Sequence, residues 1–264
     1  MLVIPPGWNI VSKSKNPYSR IQAKCLDSKG RWQYIYHPLW SVLTTALKYK
    51  KLVKICKAMR KITRLTKAKK CDDLDNLIKI MIFTNIRLGS DKYAEDNDSF
   101  GICTLQTKHV TTGNSGEILL SFLGKSGHKH DVILQKGPEH KFIKDKARQT
   151  RSAGGKRLFP PGTAERLRVR FKEMVGDDFN PKDIRTYKAN LNLVTYLRRC
   201  AGVNLEKELR ECIKRTATNL HHTPGVCKSN YLCPQIMDLW LRNPGAIKEG
   251  AGINLYKLVK GLSI

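Results

Sequence analysis

The sequence contains few acidic residues and no long apolar run. Its 264 residues include 22 Asp and Glu against 49 Lys and Arg, which gives a formal net charge of +27. A charge of that size says little about the fold, but it indicates an anionic partner. Because 41% of the residues are hydrophobic and only 11 are prolines, the chain can bury a core, which excludes a wholly disordered basic tail.

Two kinds of hydrophobic segment are missing. The apolar run Met1–Ile4 ends at Pro5, well short of the roughly 7–15 apolar residues of a signal peptide. The apolar stretch Ile80–Ile86 is far shorter than the roughly 20 residues that cross a bilayer. We therefore expect neither secretion nor a membrane span.

The eight cysteines form no CxxC pair, so the sequence signals neither a disulfide framework nor a paired zinc site. We expect reduced thiols in an intracellular compartment. A zinc site built from His221, His222, Cys227 and Cys233 is an alternative, but its spacing differs from that of common zinc fingers.

The positive charge is concentrated in two segments. Residues 48–70 hold eleven Lys or Arg and no acid. Apolar residues recur there at helical spacing, namely Leu52, Val53, Cys56, Met59 and Ile62, which predicts a helix with one buried stripe and a broad cationic face. Residues 141–172 hold eleven more basic residues and two acids. A lysine-rich segment can simply be a solvated helix face, but two of them in a chain of this charge favour nucleic acid as the partner.

Two domains are predicted. In residues 1–42 we expect a small β-rich domain, in which two strands within Ile21–Tyr36 meet at a turn around Gly30. From residue 43 the pattern becomes mainly helical, so residues 43–264 are assigned to a second, larger domain. The predicted fold class is α+β.

The second domain is expected to contain a buried helix over Asp72–Gly89. Asp72 or Asp73 can cap its start, Gly89 fits the position just after its end, and Arg87 then lies in its last turn.

A three-stranded antiparallel sheet and a helical remainder follow. Alternating runs predict the strands at 104–110, 117–123 and 129–134, with Lys125 at the tip of the second hairpin. Helices are expected near 164–175, 181–199, 204–220 and 230–242.

Five residues of this domain are candidates for a functional site: Arg87, Lys125, Arg185, His222 and Tyr231. Each has an ordinary explanation when taken alone. An arginine at a helix end can bind carbonyl groups, a lysine in a turn can be solvated, a histidine can cap a helix, and a tyrosine can belong to the core. The five matter only as a set.

As a set, the segments around them resemble the small type IB DNA topoisomerases of poxviruses and bacteria. The following segments occur in the family's order and approximate spacing: Ile4–Trp8, Asp27–Tyr36, Asn85–Gly89, Lys92-Tyr93, Gly101–Leu105, Lys108-His109, Gly124-Lys125, Lys182–Tyr187, His222–Pro224 and Tyr231. The resemblance covers nearly the whole chain, and chance does not account for so many ordered motifs.

The resemblance implies a reaction. Tyr231 forms a 3′-phosphotyrosyl bond to one DNA strand, the free 5′ end swivels, and the reverse attack reseals the strand. Charge that develops on the phosphate can be held by the forked guanidiniums of Arg87 and Arg185, with His222 as a further donor. These cations also favour the phenolate of Tyr231.

The departing 5′ oxygen needs a proton, which Lys125 on its hairpin can deliver as a general acid, assisted by Lys182. The family likeness implies that neither ATP nor a divalent metal is required, so no cofactor is expected. In agreement, the sequence has neither the glycines of a P-loop nor a convincing carboxylate cluster for magnesium.

The resemblance also assigns the N-terminal domain to a DNA clamp and makes the helical domain similar to tyrosine recombinases. The family usually has further strands before Ile4, so we expect a truncated clamp. Candidate DNA contacts are Arg31, Gln33, Tyr34, Tyr36, Lys92, Tyr93 and Lys182. Alternatively, Tyr34 and Tyr36 pack inside an ordinary amphipathic strand.

Two rival functions remain open. A tyrosine recombinase uses a similar set of residues, but it normally has a histidine three residues before the second arginine, where this chain has Lys182. A non-enzymatic architectural DNA-binding protein would explain the charge but not the set of five. The expected partner is double-stranded DNA, with no membrane and no nucleotide cofactor, for a monomer located with DNA in a viral factory or virion, a nucleus or a bacterial nucleoid.

Overall fold

A computed structural model describes residues 3–65, 71–248 and 255–262. Within these ranges the chain contains both helices and strands, with two three-stranded antiparallel sheets and a mainly helical second part. The chain divides into two compact units, one ending at Lys51 and the other beginning at Leu52. The predicted functional boundary after residue 42 stays a prediction.

The first unit contains a sheet of three strands in the order β1 (Asn9–Lys13), β2 (Ile21–Leu26) and β3 (Trp32–Tyr36). The strands β2 and β3 meet at the predicted turn, where Gly30 has φ +70° and its N–H donates to the carbonyl of Asp27. The strand β1 was not predicted, because its five residues are all exposed and show no alternation.

Helix α1 spans Pro38–Leu65 and contains residues 48–65 of the first predicted basic segment. It begins ten residues before Lys48, since Pro38 suits the first turn of a helix. The predicted stripe is buried at Leu52, Cys56, Met59 and Ile62. Residues 66–70, which include three of the eleven predicted basic residues, lie outside the described residues.

The second unit is built around α2 (Asp73–Thr84), whose apolar face is almost fully buried. Asp72 caps its start by accepting from the backbone N–H of Asp75 at 2.8 Å, as predicted. The expected end at Gly89 was wrong. Asn85 adopts the left-handed conformation with φ 59° and ends the helix, so Arg87 lies beyond α2 rather than in its last turn.

The remaining described elements are α3 (Asp91–Asn97), β4 (Val110–Thr112), β5 (Ile118–Leu123), β6 (Lys129–Leu134), α4 (Pro138–Ser152), α5 (Thr163–Val175), α6 (Lys182–Leu197), α7 (Leu205–Asn219), α8 (Pro224–Tyr231), α9 (Pro234–Arg242), α10 (Gly245–Lys248) and α11 (Leu255–Gly261). The helix α2 packs against α4, α5 and α6. The second sheet has the order β4-β5-β6, as predicted.

Two further expectations need correction, and one helix was not predicted. The strand predicted at 104–110 is mostly two short 3-10 turns, and only Val110–Thr112 pairs with β5. The helix predicted at 230–242 is two helices, because Pro234 starts a new one after α8 ends at Tyr231. Helix α4 was not predicted, although Pro138 marks its first turn.

Candidate active site

Arg185 lies in the first turn of α6, and its side chain bonds the C-terminal ends of two other helices. Only 2% of the residue is exposed. One terminal nitrogen, Nη2, donates to the carbonyl oxygen of Leu220 at 2.6 Å, and Nη1 donates to that of Asn85. These carbonyls end α7 and α2, where helices leave acceptors unsatisfied. The guanidinium therefore has a structural role.

Arg87 is placed by a short extended segment that follows α2. Its carbonyl oxygen accepts from the N–H of Ile102 at 2.9 Å, and Leu88 accepts from Cys103 at 2.9 Å. These two segments of the chain approach so closely at Gly101 that a Cβ there would lie 2.5 Å from the carbonyl oxygen of Arg87. This approach explains a glycine at position 101 and fixes the base of the Arg87 side chain.

Both guanidiniums converge on His222. The Nη2 atoms of Arg87 and Arg185 each lie 3.0 Å from its Nε2. The ring is presented by a tight turn after α7, in which His221 has φ 53° and the N–H of His222 donates to Ala217. Burial, together with the charges of Arg87 and Arg185, lowers the pKa of His222 to about 3. The ring is therefore neutral at physiological pH.

Tyr231 is the last residue of α8 and lies beside these cations, with 6% of the residue exposed. Its ring centroid is 5.0 Å from that of His222 and 5.5 Å from the Cζ atom of Arg185, and the Nζ of Lys182 lies 6.0 Å away. Burial raises the pKa of the phenol, but Arg185, Arg87 and Lys182 outweigh this effect, so the pKa is lowered from its usual value of 10.

Two buried donors of the arginines have no partner. Among the described residues, neither Nη1 of Arg87 nor Nε of Arg185 makes a hydrogen bond. Buried N–H groups are almost always bonded, and a guanidinium is especially suited to phosphate oxygens. The free donors beside Tyr231 therefore favour an anionic ligand at this place.

Sequence reasoning missed Asn190, which holds the backbone on both sides of the tyrosine. The residue is fully buried on α6. Its Nδ2 donates to the carbonyl oxygen of Tyr231 at 2.8 Å, and its Oδ1 accepts from the N–H of Cys233 at 2.8 Å. The available signal is a poor helix former on the buried face of a helix, five residues after Arg185.

Lys125 lies in a 3-10 turn between β5 and β6, at the predicted hairpin tip. Its side chain is exposed. No hydrogen bond or ion pair joins it to the part of the chain that the structure describes. The structure thus brings together Arg87, Arg185, His222 and Tyr231, with Lys182 nearby, and leaves Lys125 on a solvent-facing turn.

The predicted DNA contacts in the first unit fall into two groups. Arg31 and Gln33 both donate to the same oxygen, Oδ2 of Asp27, at 2.8 and 2.9 Å. These bonds, above all the one from Arg31, hold the pKa of Asp27 well below its usual range. In contrast, Tyr34 and Tyr36 are 43% and 42% exposed, so the alternative in which they pack inside was wrong.

Trp32 extends the exposed aromatic row. It lies on the same face of β3 as Tyr34 and Tyr36 and is 54% exposed. Sequence reasoning did not select it. In the second unit, Lys92 and Tyr93 are both exposed on α3, whose first residue, Asp91, binds Arg157 and the N–H of Gly162.

The zinc alternative gains no support. No group of three or more His, Cys, Asp or Glu among the described residues is arranged to hold a metal ion. Both ring nitrogens of His222 face Arg87, and burial raises the pKa of the Cys227 thiol to about 11. None of the eight cysteines, all of which lie in the described ranges, forms a disulfide. Within the described ranges, no helix has the length and apolar character needed to cross a membrane.

Comparison with known proteins identifies similar chains. The sequence model of the family described as eukaryotic DNA topoisomerase I, catalytic core, matches residues 43–242. A DNA topoisomerase 1B of Acanthamoeba polyphaga mimivirus is 32% identical over 273 residues, which cover 92% of this chain and 79% of the relative. A DNA topoisomerase 1B of vaccinia virus is 26% identical over 81% of this chain and 70% of the relative. A DNA topoisomerase 1 of rabbit fibroma virus is 27% identical, with 83% and 72% covered.

Proposed function

The chain belongs to the type IB DNA topoisomerase family, and from that premise we propose that it relaxes supercoiled DNA through a transient 3′-phosphotyrosyl bond at Tyr231. The observation that carries this proposal is the convergence of Arg87, Arg185 and His222 beside that phenol. The reaction opens one strand, lets the free 5′ end rotate, and reseals the strand by the reverse attack.

The two arginines hold the scissile phosphate. When a phosphate enters, its non-bridging oxygens can accept from Nη1 of Arg87 and Nε of Arg185, the donors that have no partner among the described residues. Hydrogen bonds from preorganised guanidiniums strengthen as charge develops on these oxygens. Arg185 needs no rearrangement for this role, because its other nitrogens are already fixed on Leu220 and Asn85.

His222 acts as a neutral donor to the same phosphate. In the DNA-free structure its ring nitrogens face the arginines, and its lowered pKa keeps the ring neutral. A neutral imidazole carries one N–H, which is sufficient for one bond to a phosphate oxygen. The attacking oxygen comes from Tyr231, whose lowered pKa increases the phenolate fraction at neutral pH.

Lys125 protonates the departing 5′ oxygen as the general acid, and Lys182 assists. The exposed turn of Lys125 lies outside the arginine cluster, which suits a group that must approach the leaving oxygen rather than the attacking one. The energy of the broken phosphodiester is retained in the phosphotyrosine, so resealing requires neither ATP nor a divalent metal. The enzyme acts as a monomer on double-stranded DNA.

The first unit is a DNA clamp. The exposed row of Trp32, Tyr34 and Tyr36 supplies aromatic surface, while Lys92 and Tyr93 add contacts from the second unit. Arg31 and Gln33 hold Asp27 in place, and both are proposed DNA contacts beside the aromatic row. The similarity of the helical unit to tyrosine recombinases stays a prediction of the sequence.

The test is plasmid relaxation in the presence of EDTA and without nucleotide. We expect the wild-type chain to relax supercoiled plasmid and to form a covalent complex when detergent is added, and we expect Tyr231→Phe to do neither. The matched control is Tyr196→Phe, a tyrosine on α6 that bonds Asn219 and stacks on Arg215. This variant should keep its activity.

The rival functions predict other outcomes. An architectural protein would bind the plasmid without changing its linking number. A recombinase would require paired sites and would yield exchanged strands. Relaxation by Tyr231→Phe at the wild-type rate would overturn the assignment of the nucleophile.

A further inference from the structure

His130 is a buried histidine with no evident reason to be polar. It lies on β6 with 1% of the residue exposed, and its ring stacks on Phe122 of β5 at a centroid distance of 5.0 Å. Neither Nδ1 nor Nε2 has a hydrogen-bond partner among the described residues. Other buried histidines differ, since Nε2 of His140 bonds the carbonyl oxygen of Gly116 and Nδ1 of His109 accepts from Gln106. Stacking alone would be served by an apolar ring.

One edge of the imidazole rests on the turn that carries Lys125. A Cβ at Gly124 would lie 2.4 Å from Nε2 of His130 and 2.6 Å from its Cδ2. The backbone of Gly124 has φ −96°, a value open to any residue. It is therefore the imidazole, not the backbone conformation, that requires glycine before Lys125.

The other side of the imidazole contacts the turn that carries His222. The ring centroids of His130 and His221 are 4.2 Å apart. His221 has φ 53°, and the residue after it is His222. A single buried ring thus lies between the residue before Lys125 and the residue before His222.

We propose that His130 is a positioning residue, which sets the Gly124-Lys125 turn against the His221-His222 turn so that Lys125 reaches the leaving oxygen. The inference rests on the proposed function, and in particular on Lys125 as the general acid. His130 itself touches neither the phosphate nor the nucleophile. Its ring is neutral at physiological pH, because burial and the nearby His221, Arg87, Arg185 and His128 lower its pKa to about 3.

The test compares two DNA substrates in single-turnover cleavage. In one the scissile phosphate has its natural 5′ oxygen, and in the other a 5′ sulfur replaces that oxygen. A thiol is far more acidic than an alcohol and leaves as a thiolate without a general acid. Loss of the acid therefore slows only the oxygen substrate, by roughly 10²–10⁴-fold for Lys125→Ala.

We expect His130→Ala to follow the same pattern. Its cleavage of the oxygen substrate should fall by roughly tenfold or more, part of the contribution of general-acid catalysis, while the sulfur substrate should be cleaved at nearly the wild-type rate. Equal losses on both substrates, or no loss on either, would overturn the inference. The matched control is His140→Ala, which removes another buried imidazole and should show no difference between the substrates.

A second variant tests the contact between His130 and Gly124 without leaving a cavity in the core. Gly124→Ala should give the same oxygen-specific loss, because its Cβ displaces the turn from the imidazole. In the double variant Gly124→Ala with His130→Ala, the missing imidazole leaves space for the Cβ of residue 124. The cleavage rate of the oxygen substrate should therefore fall by less than the product of the two single-variant effects. Multiplied losses would contradict the inference.

The two levels of the proposal fail separately. If the wild-type chain cleaves neither substrate, the proposed function fails and the inference fails with it. If the wild type cleaves and Tyr231→Phe does not, but Lys125→Ala is impaired equally on both substrates, strand cleavage by Tyr231 stands, whereas the general-acid role of Lys125 and the role of His130 are overturned.

Discussion

At the scale of single residues, the two arginines beside Tyr231 differ in what they do without DNA. Arg185 is nearly fully buried and donates to the carbonyl groups that end α2 and α7. Arg87 is half-buried, and its guanidinium interacts with His222 and Tyr231. One guanidinium therefore holds the ends of two helices as well as the ligand, whereas the other lies against the histidine and the tyrosine of the candidate site.

This difference predicts separable effects of two substitutions on stability. A hydrogen bond from a charged group contributes roughly 1.5–3 kcal/mol, so Arg185→Ala should lower the free energy of unfolding by about 3 kcal/mol or more. Arg87→Ala should lower it by less than about 1 kcal/mol, because it also relieves the repulsion between the two cations. Urea denaturation without DNA measures both values, and both variants should lose cleavage activity. Equal destabilisation by the two substitutions would contradict this division of roles.

At the scale of elements, the position of Arg87 depends on where α2 ends. Asn85 terminates the helix, and the following residues pair with the segment around Gly101. A Cβ at Gly101 would lie 2.4 Å from the backbone nitrogen of Gly89 and 2.5 Å from the carbonyl oxygen of Arg87. These are backbone atoms, which cannot rotate away.

Gly101→Ala should therefore displace Arg87. We expect a loss of about 1–3 kcal/mol in unfolding free energy, typical of overpacking, and slower cleavage at a temperature at which the variant is folded. The control is Gly225→Ala in the first turn of α8, where a Cβ meets nothing within 4 Å. That variant should be as stable as the wild type or slightly more stable. Full activity of a folded Gly101→Ala protein would show that this close approach does not position Arg87.

The sequence predicts those elements whose signals are local. Asp72 marks the start of α2 by its capping side chain, and alternation together with Gly124 and Gly127 marks the β5–β6 hairpin. The end of α2 was predicted at the wrong residue, because both Asn85 and Gly89 can adopt the left-handed conformation that ends a helix. The helix ends at Asn85, where the following segment pairs with Ile102, and this long-range contact leaves no local signal in the sequence.

The sequence selected candidate site residues but not the residues that support them. Arg87, Arg185, His222 and Tyr231 could be selected because their segments match the motifs of a family in order and spacing, although each residue alone has an ordinary explanation. Asn190 and His130 act through contacts with Tyr231, Cys233 and Gly124. These contacts join positions far apart in the chain, and no local pattern records them.

At the scale of the whole molecule, the net charge of +27 and the neutral histidines affect different processes. The charge attracts DNA at any physiological pH. The histidines affect folding. Burial is the largest cause of the lowered pKa values of these rings, which are about 4 for His109 and about 3 for His130 and His222.

These pKa values predict an acid-sensitive fold. Between about pH 6.5 and 4 the unfolded chain binds protons at these three histidines, whereas the folded chain does not, so stability falls as the pH falls. Urea denaturation at pH 7.5, 6.0 and 5.0 should show a steady loss, with an uptake of up to about three protons on unfolding at pH 5. A free energy of unfolding that is unchanged between pH 7.5 and 5.0 would contradict the buried, neutral state of these rings.

If Tyr231 attacks a phosphate held by Arg87 and Arg185, a covalent bond to DNA forms at this residue, and its position can be measured. A DNA duplex carries a label in one strand, either on the 5′ side or on the 3′ side of the cleavage site. The protein is trapped with detergent and digested, and the labelled peptide is sequenced by mass spectrometry. We predict that the label on the 5′ side stays with the peptide that contains Tyr231, through a 3′-phosphotyrosine. A bond to another residue, or retention of the 3′-side label, would contradict the account.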